Sequence, residues 1–183
     1  LPDLNAPYRG WKMTFFEGGT HVPFFMRWPD RIEAGREYER PVTHIDIFST
    51  AAAAADIAMP VDRKIDGVDL LPYVNGAVGD DPHDAIFWRT GTYRTVRSGA
   101  WKLQLSDPDE TPFLYNLGVD PTEQYNLAAS EPGQLNRMKQ LIEEGMSDWV
   151  APLRPPLVRG PQYPDKHLDE SLDETDEPVY WYN

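Results

Sequence analysis

Near its N-terminus the chain carries the stretch Arg9-Gly-Trp-Lys-Met-Thr-Phe-Phe-Glu-Gly-Gly-Thr-His-Val-Pro-Phe-Phe-Met-Arg-Trp-Pro29. A single lysine, Lys12, stands there among bulky aromatic residues. An ammonium that its surroundings hold in place can bind an anionic group and stabilise negative charge that develops during a transfer reaction. The ordinary alternative is a surface lysine whose stem lies along Trp11 and Phe15. Composition alone favours that alternative.

The residues after Lys12 indicate how the segment is shaped. Glu17 and the pair Gly18-Gly19 are expected to hold the turn that aims Lys12, because glycine adopts backbone angles that other residues resist. His21 is expected either to line a substrate pocket or to bond a backbone carbonyl group. The apolar run Phe24–Trp28 is bounded by prolines and predicts a short buried strand.

The composition of the 183-residue chain excludes several functions. Its formal charge of -13 repels phosphate backbones and argues against nucleic-acid binding. There are no cysteines, so disulfides, zinc–thiolate sites and cysteine nucleophiles are excluded within the chain. No stretch approaches ~20 apolar residues, which argues against a membrane span. The acidic residues concentrate between Asp165 and Glu177, which predicts a solvated tail.

Residues 43–58 predict a helix, because Ala51–Ala55 are strong helix formers and Met59-Pro60 ends the pattern. Thr43, Asp46 or Ser49 could cap it, and capping explains His44 and Asp46 more simply than metal binding does. His83 and His167 lie in polar stretches and are expected to be exposed to solvent.

The pattern changes at Ala85. Short strands are predicted at 85–89, 93–97 and 101–105, with a fourth at 113–117, and together they indicate a small antiparallel sheet. A helix is predicted from Glu131 to Trp149, since apolar residues recur there at three- and four-residue steps. Its apolar stripe is expected to pack on the sheet. After Ala151 the chain is rich in proline and acid, and we expect it to wrap along a surface or to be partly disordered.

Five motifs resemble the formylglycine-dependent sulfatases, and they occur in that family's order. They are Arg9-Gly-Trp-Lys with Glu17-Gly-Gly-Thr-His-Val-Pro, then Thr43-His-Ile-Asp, Ile65-Asp-Gly-Val-Asp-Leu-Leu-Pro, Val96-Arg-Ser-Gly-Ala-Trp-Lys-Leu, and Leu114-Tyr-Asn-Leu with Asp120-Pro-Thr-Glu-Gln-Tyr-Asn-Leu. The resemblance runs from about Leu1 to Trp149. The resemblance favours a functional Lys12 over an ordinary surface lysine, and it implies that Lys12 binds the sulfate group.

The resemblance implies a reaction whose main groups lie elsewhere. In sulfatases a Cys or Ser in a Cys/Ser-x-Pro-x-Arg motif becomes formylglycine, which attacks sulfur with the help of calcium. That motif is absent here, so the nucleophile and the calcium ligands are expected upstream, and no metal ligand is assigned to this chain. Only Lys12 is carried over as a catalytic residue. Glu17, Gly18 and Gly19 match motif positions as structural residues, and His21 matches as a substrate-binding candidate.

The implied fold is α/β. Residues 1–80 would be the end of the large alkaline-phosphatase-like domain, 81–150 a small C-terminal subdomain with an antiparallel sheet and one helix, and 151–183 the acidic tail. The expected partner is the N-terminal part of the same sulfatase or a second copy of the chain. A binding module derived from a sulfatase, and a related phosphatase or phosphonate hydrolase, stay open as alternatives. The resemblance suggests a periplasmic or secreted location.

Overall fold

The predicted strands after Ala85 form a four-stranded antiparallel sheet in the order β1-β2-β3-β4. The computed structural model describes residues 4–106, 111–151, 153–154, 159–166 and 169–182. Its elements, in chain order, are α1 (Glu17–Thr20), α2 (Asp46–Ala54), α3 (Leu71–Val74), β1 (Ile86–Thr90), β2 (Tyr93–Ser98), β3 (Trp101–Ser106), β4 (Thr111–Asn116), α4 (Pro132–Gly145), β5 (Arg159–Gln162) and β6 (Val179–Tyr182).

One face of the four-stranded sheet packs on α4, as the sequence predicts. Val96, Leu103 and Leu114 lie side by side on neighbouring strands and are fully buried. Met138 and Ile142 of α4 lie in the same cluster. The apolar stripe of this helix therefore covers the sheet, although the helix ends at Gly145 rather than at Trp149.

The opposite face of the sheet is also covered, but polar side chains lie on it. Tyr93, Lys102 and Gln104 point to this face, and all three are fully buried. The segment that contains Phe15 and Phe16 packs there in a second cluster of aromatic residues. The sheet thus has an apolar side against α4 and a mixed side against the lysine-containing segment.

The tail beyond Ala151 contributes a two-stranded sheet of β5 and β6. Val179 is fully buried in the aromatic cluster, and the Trp181 ring lies 6.2 Å from that of Phe15. The hydroxyl of Thr90 donates to the carbonyl oxygen of Tyr182 at 2.6 Å. The end of the tail therefore lies along β1 and the aromatic cluster, which was one of its two expected arrangements.

The chain divides into two compact units. One combines the segment up to Pro23 with everything from Ala85 onward, and the other spans Phe24–Asp84. The domain boundaries predicted for the complete protein, at 80 and 150, stay a prediction. Within this chain, the lysine-containing segment belongs to the unit of the C-terminal sheet.

The second unit carries α2 and α3. Its helix at Asp46–Ala54 confirms the helix predicted from the alanine run, while the predicted strand at 24–28 is wrong. Phe25 is 89% exposed, and the backbone there adopts no regular structure. A strand needs a neighbouring strand to pair its amide and carbonyl groups, and the described residues of this unit contain no strand.

No helix within the described ranges is both long and apolar enough to cross a membrane.

Candidate functional site

Lys12 lies at the tip of a tight turn that runs from Trp11 to Thr14. The Thr14 amide donates to the Trp11 carbonyl oxygen at 3.0 Å, and the Thr14 hydroxyl donates to the same oxygen at 2.8 Å. Met13 follows Lys12 with φ of 81°, which places it in the left-handed region that a non-glycine residue enters at a cost. The turn projects Lys12 into solvent, and its ammonium has no hydrogen-bond or ion-pair partner among the residues described.

Two glycines allow this turn to close onto α1. A Cβ on Gly18 would lie 2.2 Å from the carbonyl oxygen of Gly10, and one on Gly19 would lie 2.1 Å from that of Thr14. The Gly18 amide also donates to the Arg9 carbonyl oxygen at 2.8 Å. Both contacts are with backbone atoms, which cannot move aside as a flexible side chain can. The glycine pair therefore sets the position of the turn by close approach.

Glu17 lies directly under this segment as part of a buried cluster of charges. Lys102 on β3 is fully buried, and its Nζ lies 2.7 Å from Glu17 Oε1 and 3.1 Å from Glu123 Oε1. Glu123 is also fully buried, and its Oε2 accepts the backbone N–H of Glu17 at 2.5 Å. A buried charge is tolerated only when it is paired and hydrogen-bonded. These three side chains satisfy one another across three separate motifs.

The two carboxylates of this cluster differ in their pKa. Burial acts to raise the pKa of Glu17, but Lys102, with Arg97 and His21, outweighs it and places the pKa below the ordinary value. Burial raises the pKa of Glu123, and Lys102 offsets this effect only in part. Glu17 has more cationic neighbours than Glu123, since Arg97 Nη1 lies 3.8 Å from it. Glu123 is therefore the carboxyl that would take up a proton first.

Two uncharged residues extend the cluster to the backbone of Phe15. The Phe15 amide donates to the Tyr93 hydroxyl at 3.1 Å, and that hydroxyl donates in turn to Gln104 Oε1. The Gln104 amide then donates to Glu123 Oε1 at 3.3 Å. Burial raises the pKa of Tyr93 well above its ordinary value, so the hydroxyl stays protonated and keeps both roles. We call Tyr93, Lys102, Gln104 and Glu123, together with Glu17, the buried polar cluster.

Sequence reasoning found Glu17 but missed the other members of this cluster. Lys102 and Gln104 alternate with Leu103 and Leu105, which is the pattern of a strand with one face in solvent. Here both faces of the sheet are covered, so the polar members are buried as well. The available signal was that Lys102 and Glu123 fall inside two of the recognised motifs.

His21 is exposed and lies on the same segment as Lys12. Its side chain is 54% accessible, its Nδ1 lies 3.5 Å from Glu17 Oε2, and its ring lies 4.8 Å from that of Tyr8. Glu17 thus sits between the buried Lys102 and the exposed His21. The exposed His21 ring is accessible to a ligand, and its substrate-binding role stays a prediction.

Arg9 ties the start of the lysine-containing segment to the tail. Its guanidinium donates to both carboxylate oxygens of Asp165, at 2.7 and 2.5 Å, and to the Tyr115 hydroxyl at 2.7 Å. Its guanidinium carbon also lies 4.6 Å from the centre of the Phe16 ring. A bidentate Arg–carboxylate pair fixes geometry as well as charge. One of the acidic tail residues therefore has a defined partner.

The second unit contains a different polar centre around Asp46, which is fully buried. Its carboxylate accepts the Thr43 amide at 2.8 Å and the Val68 amide at 3.0 Å, and it lies 2.8 Å from His83 Nε2. The predicted exposure of His83 is therefore wrong, since its side chain is only 11% accessible. The buried carboxylate needs this third partner. His167, predicted to be exposed, lies outside the described residues.

Over the described ranges, no group of three or more His, Cys, Asp or Glu residues could hold a metal ion. The sequence also lacks a Cys/Ser-x-Pro-x-Arg motif. We therefore assign no calcium ligand among the described residues and no formylglycine position in the sequence.

Comparison with known proteins identifies the family. A family model described as N-sulphoglucosamine sulphohydrolase, C-terminal, matches residues 9–148. The steryl-sulfatase of Rattus norvegicus is 37% identical over 117 residues, which cover 64% of this chain and 20% of that protein. The human N-acetylgalactosamine-6-sulfatase is 29% identical over 185 residues, which cover 84% of this chain and 35% of that protein. The chain spans roughly a fifth to a third of the length of these relatives.

Solved structures agree with this result. A Bacteroides thetaiotaomicron protein, described with a locus for the metabolism of multiple glycosaminoglycans, matches with a TM-score of 0.68 and 27% identity, over 76% of this chain and 32% of that one. A second solved structure, of a protein in complex with its substrate D-glucosamine-2-N,6-O-disulfate, matches with a TM-score of 0.57 at 22% identity. The match covers 66% of this chain and 27% of that one, and it supports the fold alone. The family match confirms the resemblance seen in the motifs, and the chain belongs to the sulfatase family, whose C-terminal portion it matches.

Proposed function

We propose that this chain is part of a sulfatase that hydrolyses sulfate esters, and that Lys12 binds the sulfate group. The observation that carries the proposal is the turn at Trp11–Thr14, which presents a lysine to solvent on a rigidly positioned backbone. A sulfate ester carries one negative charge spread over its oxygens. An ammonium with three N–H donors can contact these oxygens from many directions.

The strength of this contact depends on what surrounds it. Opposite charges 4 Å apart attract by about 1 kcal/mol in bulk water and by about 4 kcal/mol at an effective dielectric constant of 20. An exposed Lys12 alone therefore supplies only a weak contact. Protein surface that excludes water from around the turn would lower the local dielectric constant and strengthen the attraction between Lys12 and the sulfate group. We propose that the N-terminal part of the same protein supplies this water-excluding surface and is the partner of this chain.

The nucleophile and the metal are proposed to come from that same N-terminal part. The family resemblance implies formylglycine and calcium. The sequence has no Cys/Ser-x-Pro-x-Arg motif, and the described residues include no group of three or more His, Cys, Asp or Glu that could hold a metal ion. The contribution proposed for this chain is therefore to hold Lys12 beside the sulfate group and, through His21, to offer a further polar contact. The loops that complete the pocket would determine which sulfate ester is bound.

The direct test is Lys12→Ala in the complete enzyme. Turnover of a sulfate ester should fall by about 10²–10³, which is the effect of removing one group that stabilises transition-state charge. Lys12→Arg should recover part of the rate, because it keeps the charge but changes the shape of the donor. Lys64→Ala serves as the control, since Lys64 is an exposed lysine that pairs with Asp66 elsewhere on the chain.

The outcomes separate the candidate functions. A Lys12→Ala enzyme with an unchanged rate would reject the proposed role of Lys12. A complete enzyme that hydrolyses phosphate esters in preference to sulfate esters would favour the related phosphatase. A complete protein that turns over neither ester would favour a binding module derived from a sulfatase.

A further inference from the structure

We propose that the buried polar cluster is the positioning element of the lysine turn, with Tyr93 and Glu123 as its two attachment points. This inference rests on the proposed role of Lys12. It assigns positioning residues on β2, on β3 and in the turn at 120–123, none of which lies in the segment that they hold.

The attachment is to the backbone of the segment. Tyr93 accepts the amide of Phe15 at 3.1 Å, and Glu123 accepts the amide of Glu17 at 2.5 Å. These two amides flank Phe16, whose side chain is fully buried. Two side chains from the sheet unit therefore hold the backbone on either side of a buried anchor.

The same hydrogen bonds fix Lys12 through a short, stiff path. Phe15 directly follows Thr14, whose amide and hydroxyl close the turn that carries Lys12. On the other side, Gly19 approaches the carbonyl oxygens of Trp11 and Thr14 in the turn, and Gly18 approaches that of Gly10 just before it, so closely that a Cβ on either glycine would clash. A shift of the backbone at 15–17 must therefore move the turn as well. Misplacement of a catalytic group by about 1 Å can cost 10²-fold in rate.

The charges of the cluster make it selective for one arrangement. Lys102 lies between Glu17 Oε1 and Glu123 Oε1, at 2.7 and 3.1 Å, with no exposure to solvent. If Glu17 moved away, a buried ammonium and a buried carboxylate would each lose a partner. This penalty adds to the apolar packing of the buried Phe16 in resisting displacement of the segment.

The first test uses Tyr93→Phe, which removes one hydroxyl and keeps the ring that packs on Phe15 at 4.6 Å. Amide hydrogen exchange in this chain should speed at least ~10-fold at Phe15, because its partner is lost. Exchange at Met138 and Ile142 on α4 should stay unchanged, which would show that the sheet–helix core is intact. Tyr125→Phe is the matched control, since Tyr125 is 73% exposed.

The second test is a double-mutant cycle in the complete enzyme. Tyr93→Phe should lower kcat/KM by about 10- to 100-fold, mostly through kcat. In the Lys12→Ala background the same change should cost less than about 2-fold, because its effect passes through Lys12. An effect of full size in that background would overturn the proposal and assign Tyr93 to general stability.

A second variant guards against misfolding. Gln104→Met keeps the Tyr93 hydroxyl on Phe15 but breaks the link to Glu123, and it should show the same coupling to Lys12 with a smaller effect on rate. The failures of the two proposals are distinct. An unchanged rate in Lys12→Ala refutes the proposed function, whereas unchanged exchange at Phe15 in Tyr93→Phe refutes the positioning role alone.

Discussion

Replacement of Lys102 by Met tests the energetics of the buried polar cluster directly. Among the described residues, Lys102 is the fully buried cation that contacts both Glu17 and Glu123. Methionine has a similar length and fills the space without charge. Arg97 remains 3.8 Å from Glu17, so Glu17 keeps a cation, while Glu123 is left as a buried carboxylate without one.

The cost follows from the proton that Glu123 must take up. An unfolded glutamate has a pKa near 4.3, so protonation costs about 1.36 kcal/mol for each pH unit above it. This gives roughly 3.7 kcal/mol near pH 7 and roughly 1 kcal/mol near pH 5. The first value agrees with the ~3–5 kcal/mol expected when one partner of a buried ion pair is removed.

The sign of the pH dependence follows from the same argument. Loss of Lys102 raises the folded-state pKa of Glu123 further above its unfolded value. A group with a raised folded pKa favours folding at low pH, and this contribution is lost as the pH rises through the folded pKa. The deficit of the Lys102→Met variant should therefore be largest near neutral pH and shrink toward pH 5.

The measurement is urea unfolding of the wild-type and variant chains near pH 7 and near pH 5. Lys166→Met is the matched control and should leave the urea midpoint unchanged, because that ammonium pairs with tail carboxylates at the surface. The double variant Lys102→Met/Glu123→Gln should recover at least half of the loss near pH 7. A deficit below about 1.5 kcal/mol near pH 7, or one that does not change with pH, would refute the reasoning.

Two further predictions concern packing in each unit. Gly145→Ala should lower stability by about 1–3 kcal/mol in thermal unfolding, because its Cβ would lie 2.2 Å from Phe87 Cζ. Gly133→Ala in the same helix is the control: its Cβ would meet nothing within 4 Å, so it should not destabilise the protein. Equal effects of the two changes would contradict the assigned contact. Asp46→Ala removes the acceptor of two backbone amides and of His83, and should speed amide exchange across α2 while leaving α4 unchanged. The control Asp66→Ala, at an exposed residue, should leave the amide exchange rates of both helices unchanged. Exchange across α2 that stays as slow in Asp46→Ala as in the wild type would argue against the role of Asp46.

The local patterns predicted most elements well. The strands at 86–116 and the helix α4 follow from alternation and from a three- and four-residue repeat, because these signals depend on neighbours in the sequence. The run Phe24–Trp28 was wrongly predicted as a strand, because strand formation depends on a partner that is distant in the sequence. A strand exists only if another strand pairs with it, and an apolar run by itself carries no information about that neighbour.

In the candidate site, too, residues close together in the sequence were predicted and distant partners were missed. Lys12, Glu17, Gly18 and Gly19 were found in the sequence, because a motif places them close together along the chain. The partners of Glu17 were not found, since Lys102 lies 85 residues away and becomes buried only when the second face of the sheet is covered. The burial of His83 against Asp46 was missed in the same way, across 37 residues.

The sequence by itself determined the family, the strands of the sheet, its packed helix and the lysine proposed to bind sulfate. These features are written in short-range patterns and in motifs, which need no knowledge of the fold. Tertiary structure alone decided which polar side chains are buried and which of them pair. Burial and pairing are properties of the packed sheet faces, and a buried charge such as Lys102 is tolerated only where folding brings its carboxylates within a few ångströms.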